Sequence, residues 1–457
     1  MREATLQEVL MAREDRMREQ NELLSKFGKP LVSFTMNIAG PVKKTELIRA
    51  AFFEGKRMLD EALKEHRVVV VAESKKDDVT GCELLYAVSY DGPEEGRSFD
   101  DGEEADYIKR VCVSIEEASE LGRLFDLDVI KTGGTKIERA EERKCLICGR
   151  PGKGCASRRV HSVAELQSKT KKIISDHFAL REAARISQMV TSALEEEVLT
   201  TPKPGLVDRN NNGSHRDMDI DTFMASAKAL EDYWGKCFLI GYETSGCAGE
   251  DTFLELRKEG LKAEEKMYGA TGGVNTHMGA IFLLGTVCGA IGRLWDPGCK
   301  EENSPDEFAS RRRIAEECRQ MTHRIMEDEI KGSACVHRGA RGEIADGLPG
   351  VIDVGLPVFT ELLAKGADRN AAGAGAFVAL AARGTDTNMI RRGGVRLAEE
   401  AAGWATQMVS DDKLLDRESI EELDKRFIEL DLSPGGCADL LAITYFLYDH
   451  CRFQCRF

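Results

Sequence analysis

The stretch Lys171–Leu199, KKIISDHFALREAARISQMVTSALEEEVL, keeps a helical spacing of apolar residues along its whole length and marks where the chain changes period. Beyond about residue 172 strand patterns vanish, and long helical patterns follow one another as far as Ser433–His450, SPGGCADLLAITYFLYDH. Before about residue 140 the chain reads as one helix followed by short strands. Leu6, Val9, Leu10, Met17 and Leu24 recur at roughly helical spacing, and FGKP (27–30) ends that helix. LVSFTMNI (31–38) alternates strictly, with Val32, Phe34, Met36 and Ile38 on one face. RVVVVAES (67–74), CELLYAVSYD (82–91) and RVCVSIEE (110–117) read as further strands, separated by an acidic Gly-containing loop over Asp91–Glu104. The expected architecture is multidomain, with an α+β domain over 1–170 and an all-α helical domain over 171–457. The lysine-rich LQSKTKKI (166–173) is the expected joint.

Composition limits what such a chain can do. Its 457 residues exceed the ~100–200 of one domain. A formal charge of −15 argues against a duplex-wide phosphate grip, so nucleic acid is not an expected partner and any phosphate site is small and local. Fourteen cysteines and a highly charged start, MREATLQEVLMAREDRMREQ, which has no secretory pattern, lead us to expect thiols in the reducing cytoplasm rather than a disulfide frame. The longest low-polarity run, Ala280–Gly292, is thirteen residues, short of the ~20 needed to span a bilayer. It reads as a buried helix, and no membrane is expected.

Four polar, Gly-rich stretches interrupt the helical half: TPKPGLVDRNNNGSHRDMD (201–219), GATGGVNTHMG (269–279), RGTDTNMIRRGG (383–394) and LSPGGCADLL (432–441). In the second, Gly272 and Gly273 permit positive φ and close backbone approach, and Asn275 or Thr276 can cap the helix that follows. Free amides at such a helix start suit an anion, phosphate above all, while a capped tight turn is the competing reading. The four stretches also carry side chains suited to metal or acid–base chemistry: Asp208, His215 and Asp217; His277; Asp386; and Asp439.

The first half offers two more constellations. LGRLFDLDVIKTGGTKIE (121–138) puts Asp126 and Asp128 two apart on a strand, with Leu127 and Val129 on the other face and a Gly-Gly hairpin after Thr132. On a strand, i and i+2 share a face with Cα atoms ~6.6 Å apart. Both carboxylates can then converge on Mg²⁺ ions ~3.5–4 Å apart, the arrangement that holds a phosphate under attack. CLICGRPGKGCASRRVH (145–161) spaces Cys145, Cys148, Cys155 and His161 as C-x2-C-x6-C-x5-H, four ligands of the kinds zinc prefers, for a structural role. Arg158 and Arg159 of the same stretch can meet phosphate.

Over about residues 175–457 the four stretches resemble the triphosphoribosyl-dephospho-CoA synthases, on TPKPGLVDRNNNGSHRDMD, ATGGVNTHMGAIFLLG, DTNMIRRGG and SPGGCADLLA in that order. The resemblance implies a reaction between ATP and 3'-dephospho-CoA. The ribose 2'-hydroxyl of dephospho-CoA attacks C1 of the ATP ribose, adenine leaves, and the triphosphate stays on the transferred sugar. It also implies Asp208, His215, His277 and Asp386 as catalytic residues. Lys203, Gly272, Gly273, Asn275, Thr276, Asn388, Arg391, Gly435, Gly436 and Asp439 would hold substrate or phosphate, with Mg²⁺ on the triphosphate. One departure is visible: a lysine is expected where Met278 stands, and Arg391, Arg392 or Lys203 would replace its charge.

Over about residues 4–168 the chain resembles the apo-citrate lyase phosphoribosyl-dephospho-CoA transferases, on TLQEVLMAREDRMREQNELL, LVSFTMNIAGPVK, GRLFDLDVI and CLICGRPGKGCASRRVHSVAEL. This implies a nucleotidyltransferase-like domain in which a serine hydroxyl of the citrate lyase acyl carrier (gamma) subunit attacks the phosphate nearest the ribose and pyrophosphate leaves. Arg13, Arg16, Gln20, Asn37 and Lys43 would address phosphates or carrier, and Asp126 and Asp128 would hold Mg²⁺. The product of the second half is the substrate of the first, and fusion raises its local concentration. A zinc-bearing ATP-binding regulator, or an ADP-ribosyl hydrolase suggested by GTDTN (384–388), are the alternative readings.

Overall fold

The computed structural model describes residues 2–92, 101–298, 307–331 and 338–452. They form two compact units, one built mainly from residues up to Phe178 and the other mainly from Ala179 onward. The expected acidic loop falls largely on residues 93–100, outside the described ones.

The first unit begins with α1 (Leu6–Phe27), β1 (Leu31–Met36), α2 (Glu46–Glu65), β2 (Val68–Asp78), β3 (Gly81–Tyr90), α3 (Asp101–Glu117) and β4 (Phe125–Ile130). Helix α1 starts where Thr5 and Glu8 cap each other reciprocally and stops at Gly28, whose φ of 59° is left-handed. Of its apolar residues only Leu24 is buried; Leu6, Leu10 and Met17 are exposed. The four strands pair antiparallel in the order β2-β3-β1-β4. One face packs on α2, where Phe34 stacks on Phe52 with ring centroids 4.6 Å apart. Helix α2 comes that close through Gly55, since a Cβ there would sit 2.5 Å from the Phe34 ring. On the other face Leu31, Ala87 and Ile130 pack against Leu24 of α1.

RVCVSIEE (110–117) is not a strand but the last half of α3. Its β-branched alternation misleads over eight residues, whereas Ala105, Ile108, Cys112 and Ile115 are buried at the 3–4-residue spacing of a helix over the full element. That helix covers the edge of β4: Lys109 Nζ donates to the carbonyl of Leu127 (2.7 Å), and the amide of Leu127 donates to Glu116 (2.8 Å). The edge is thereby closed to another strand.

After the short helix α4 (Gly152–Ser157), α5 (Val163–Leu199) runs for 37 residues without a break. The stretch 166–173, expected as a joint, lies inside it. The second unit adds α6 (Ile220–Ala229), α7 (Glu231–Glu243), α8 (Gly249–Ala270), α9 (Met278–Leu294), α10 (Glu307–Lys331), α11 (Gly339–Ala345), α12 (Leu356–Ala364), α13 (Arg369–Ala381), α14 (Thr387–Ser410), α15 (Arg417–Glu429) and α16 (Gly435–Arg452), with no strand among the described residues. Helix α9 is buried from Ala280 to Gly292, with Phe282 alone partly exposed, as expected of the thirteen-residue low-polarity run. It packs against α7 at backbone distance: a Cβ on Gly241 would lie 1.9 Å from the carbonyl of Gly289, and one on Gly292 would lie 2.0 Å from that of Phe238. Among the described residues no helix is long and apolar enough to cross a membrane.

Candidate functional site

In the helical unit, three of the four Gly-rich stretches meet around a cleft of about 760 Å³, within the usual range of small-molecule sites. The start of α9 brings Asn275, Met278 and Gly279, the loop from α13 to α14 brings Arg383–Asn388 with Arg391, and the start of α16 brings Gly436, Cys437 and Asp439. Asp386 ties two of these helix starts together. Its Oδ1 accepts from the amides of Asn388 (2.8 Å) and Met389 (3.0 Å), capping α14, and its Oδ2 accepts from the amide of Cys437 (3.0 Å) in α16. Burial holds its carboxyl above the usual range against the opposing pull of these amides. The glycines of one stretch make room for the polar groups of another. A Cβ on Gly436 would lie 2.8 Å from Asp386 Oδ2, one on Gly435 2.9 Å from Asn388 Nδ2, and one on Gly279 2.0 Å from Asp439 Oδ2. Burial, with the charges of Glu197 and Asp386 behind it, holds the Asp439 carboxyl well above the ordinary range. Three helix N-termini beside one cavity favour an anionic ligand.

The remaining predicted residues lie off the lining of this cleft. Asp208 is buried and organises its own loop, accepting from the amides of Lys203 (3.0 Å), Asn210 (2.7 Å) and Asn211 (3.1 Å). Lys203 is buried on Glu197, 2.7 Å away. His215 Nε2 is 2.9 Å from Ser433 Oγ, and burial, then the charge of Arg392, lowers its pKa. Asp217 contributes an opposing charge to that histidine. His277, rather than Asn275 or Thr276, is the N-cap residue of α9, and it caps nothing with its side chain. Asn275 Oδ1 does accept from the Met278 amide (3.3 Å), while Thr276 donates to Ser226 Oγ (2.8 Å), which in turn meets His277 Nδ1 (2.7 Å). His277 Nε2 is sealed without a partner. Burial, and secondarily the charge of Lys203, pushes the His277 pKa down to about 3, so the ring is neutral near pH 7. Gly272 and Gly273 take positive φ, 65° and 93°, as expected of that turn.

The cations named as stand-ins for the lysine expected at Met278 separate. Arg391 lines the cleft with one long bond, 3.4 Å to Asn388 Oδ1. Arg392 is held by the Ser214 carbonyl (2.8 Å) and Asp431 (3.0 Å), and Lys203 by Glu197. Sequence reasoning missed Arg383, which lines the cleft beside Asp386 and pairs with Glu343 (3.0 Å). A lone Arg at a helix end carries no pattern, and its partner is forty residues away.

In the first unit, β-pairing sets Ser33 opposite Asp128 and Thr35 opposite both Asp126 and Glu83. Asp126 and Asp128 therefore share a face, although each has a cation: Arg143 lies 3.0 Å from Asp126, and Lys136 2.5 Å from Asp128. From α1, Arg16 pairs with Glu83 and Gln20 approaches Ser33 Oγ at 3.4 Å. Arg13 and Asn37 are exposed. Lys43 donates to the Ile38 carbonyl, and burial, with the charge of Arg13, lowers its pKa. Glu83, Arg143 and Lys136 escaped the sequence reading because only strand register and the following hairpin bring them to this face.

Cys145, Cys148, Cys155 and His161 converge, their ligand atoms all within 4.8 Å of one another. The knuckle is closed by the Cys145 amide on the Arg150 carbonyl (2.7 Å) and the Gly149 amide on the Cys145 carbonyl (3.0 Å), with Gly149 at φ 70°. Hydrogen bonds from Arg150, then from His161 and Cys155, lower the Cys148 thiol to about 5, and Cys148 in turn pushes Cys155 up to about 11. His161 Nε2 is buried with no hydrogen-bond partner. Three sulfurs and an orphaned imidazole nitrogen fit a tetrahedral zinc ion. A second convergence, His323, Glu327 and Asp346, has Arg338 paired with both carboxylates.

Residues 183–454 match the family described as ATP:dephospho-CoA triphosphoribosyl transferase, and residues 4–177 match the family described as apo-citrate lyase phosphoribosyl-dephospho-CoA transferase. Among similar proteins, Protein CitXG of Haemophilus influenzae is 32% identical over 465 residues, covering 97% of this chain and 95% of that protein. Protein CitXG of Leuconostoc mesenteroides subsp. cremoris is 29% identical, with 97% and 96% covered. A 2-(5''-triphosphoribosyl)-3'-dephosphocoenzyme-A synthase of Klebsiella pneumoniae is 37% identical over 282 residues, 58% of this chain and 90% of that enzyme. The chain therefore belongs to the ATP:dephospho-CoA triphosphoribosyl transferase family, joined in one polypeptide to a region of the apo-citrate lyase phosphoribosyl-dephospho-CoA transferase family.

Proposed function

We propose that the chain is a bifunctional transferase that builds the citrate lyase prosthetic group and attaches it. In the first reaction the 2'-hydroxyl of 3'-dephospho-CoA forms a bond to C1 of the ATP ribose, the bond from that carbon to adenine breaks, and the hydroxyl proton is matched by protonation of the departing base. In the second, the serine hydroxyl of the apo-acyl carrier subunit bonds to the phosphorus nearest the ribose and pyrophosphate leaves. The observation that carries the first reaction is the cleft where three Gly-rich stretches place helix N-termini and two carboxylates, Asp386 and Asp439, around one space. Carboxylates suit an oxocarbenium-like centre, and Mg²⁺ with amide donors suits a triphosphate.

Residues 171–457 would carry the synthase and residues 1–170 the transferase, as a nucleotidyltransferase-like domain with Mg²⁺ on Asp126 and Asp128. Arg13, Arg16, Asn37 and Lys43 would meet phosphates or carrier. Asp208, His215 and His277 would act with Asp386 as catalytic residues, and zinc on Cys145, Cys148, Cys155 and His161 would stabilise the segment after β4. The test is adenine release from ATP by the full chain, which should require both dephospho-CoA and Mg²⁺. Release without dephospho-CoA would favour a hydrolase, and no release would favour a nucleotide sensor.

A further inference from the structure

Five arginines border the cleft in a chain of net charge −15: Arg257, Arg338, Arg341, Arg383 and Arg391. Their settings differ. Arg257 and Arg341 share Glu329, and Arg338 is divided between Glu327 and Asp346, so these are rim charges already balanced by partly exposed carboxylates. Arg391 is exposed and loosely held.

Arg383 is built in. Its Nη1 meets Glu343 Oε2 at 3.0 Å, and Glu343 is only 9% exposed, its other oxygen taking the Gly350 amide. Gly350 is what lets the pair form, since a Cβ there would lie 2.1 Å from Arg383 Nη1 and 2.6 Å from Glu343 Oε1. On the cleft side Arg383 lines the same cavity as Asp386, Asn388 and Cys437. Gly384 then turns the chain at φ 66° into the Asp386 cap. A guanidinium has five N–H donors in a planar fork, and the bond to Glu343 uses one. A fork held by Glu343 and lining one cavity with residues from the starts of α14 and α16 is pre-set for an anion.

We propose that Arg383 grips phosphate oxygens of the nucleotide in this cleft, with Glu343 as its positioning residue. This rests on the reading of the cleft as the ATP site. In the full-length chain, Arg383→Ala should raise KM for ATP roughly ten- to hundredfold, the scale of a lost charge-assisted contact, with a smaller change in kcat. Arg383→Lys should recover part of the loss. Glu343→Gln should shift KM the same way by a smaller factor. Because Arg383→Ala leaves Glu343 buried without its partner, the paired variant Arg383→Met with Glu343→Gln is measured beside it.

Binding of inorganic tripolyphosphate with Mg²⁺, followed by calorimetry, reports on the grip without any reaction. It should weaken at least tenfold in Arg383→Ala and in the paired variant. Unchanged tripolyphosphate affinity in a paired variant that melts like the native chain would overturn the proposal. A native chain that binds tripolyphosphate through Arg383 yet releases no adenine would refute the assigned reaction and leave the grip standing.

Discussion

Substituting Gly279 by alanine tests the cleft with one methyl group. A Cβ there would lie 2.0 Å from Asp439 Oδ2 and 2.9 Å from Asp439 Cγ, whereas ordinary contacts begin near 3.4 Å. Asp439 or the start of α9 must therefore shift by more than an ångström. Overpacking of this kind costs about 1–3 kcal/mol, and in a unit of this size each kcal/mol lowers the melting temperature by roughly 2–4 °C. A displacement of ~1 Å beside reacting groups can cost ~10²-fold in rate, so adenine release should fall much further than stability does. Gly269→Ala, on α8 with nothing within 4 Å of the added Cβ, is the matched control, and there alanine should stabilise by up to ~1 kcal/mol. If contact with Asp439 is the cause, Gly279→Ala should cost little stability in an Asp439→Ala background. An equal loss of stability in both backgrounds would refute the reasoning.

Asp126→Asn should stop labelling of the carrier subunit, followed by mass spectrometry, while adenine release continues at the native rate; native labelling would reduce the aspartate pair to a solvated strand face. Protein purified without chelator should contain about one zinc per chain, and Cys145→Ser should lose it together with part of the thermal stability; full stability in zinc-free protein would contradict the metal assignment. Burial pushes both His277 and His450 down to about 3, against about 6.5 in an unfolded chain. Between those values the unfolded state binds protons that the folded state does not, so stability falls as pH drops, by up to about 1.4 kcal/mol per pH unit per histidine. Melting curves from pH 7 to pH 5 should show this, and His450→Gln should flatten the dependence; an unchanged slope would assign the loss to other groups.

The passage from a strand-bearing first part to an all-helical second part was legible because long helices and alternating strands impose different spacings on the sequence, although α5 starts at Val163, ahead of residue 171. Helix α3 was not, because its C-terminal eight residues alternate β-branched side chains while the helical signal needs the whole of Asp101–Glu117. The division between the units was also hidden, since α5 continues through it and leaves no break in pattern. At the site, turn glycines such as Gly272 and Gly273 could be read from local chemistry. Asp208 and His277 could be noticed but their burial could not be read, because it depends on loops and helices that local sequence does not place.

The Gly-rich stretches explain one another more than any of them explains itself. Read alone, SPGGCADLL suggests glycines chosen for backbone freedom, yet neither Gly435 nor Gly436 is among the glycines with positive φ. Their missing side chains are the space that Asn388 and Asp386 occupy, about fifty residues earlier in the chain. Gly279 likewise makes room for Asp439, and Gly350 for Arg383 and Glu343. Each stretch thus supplies a polar group, a space for another stretch's polar group, or both. Such a site constrains pairs of positions more tightly than single ones, because enlarging a glycine and moving its partner carboxylate are the same perturbation. Asp386 shows the consequence most directly: one buried carboxylate caps α14 and accepts the Cys437 amide in the first turn of α16, so two of the three helix starts at the cleft are fixed together.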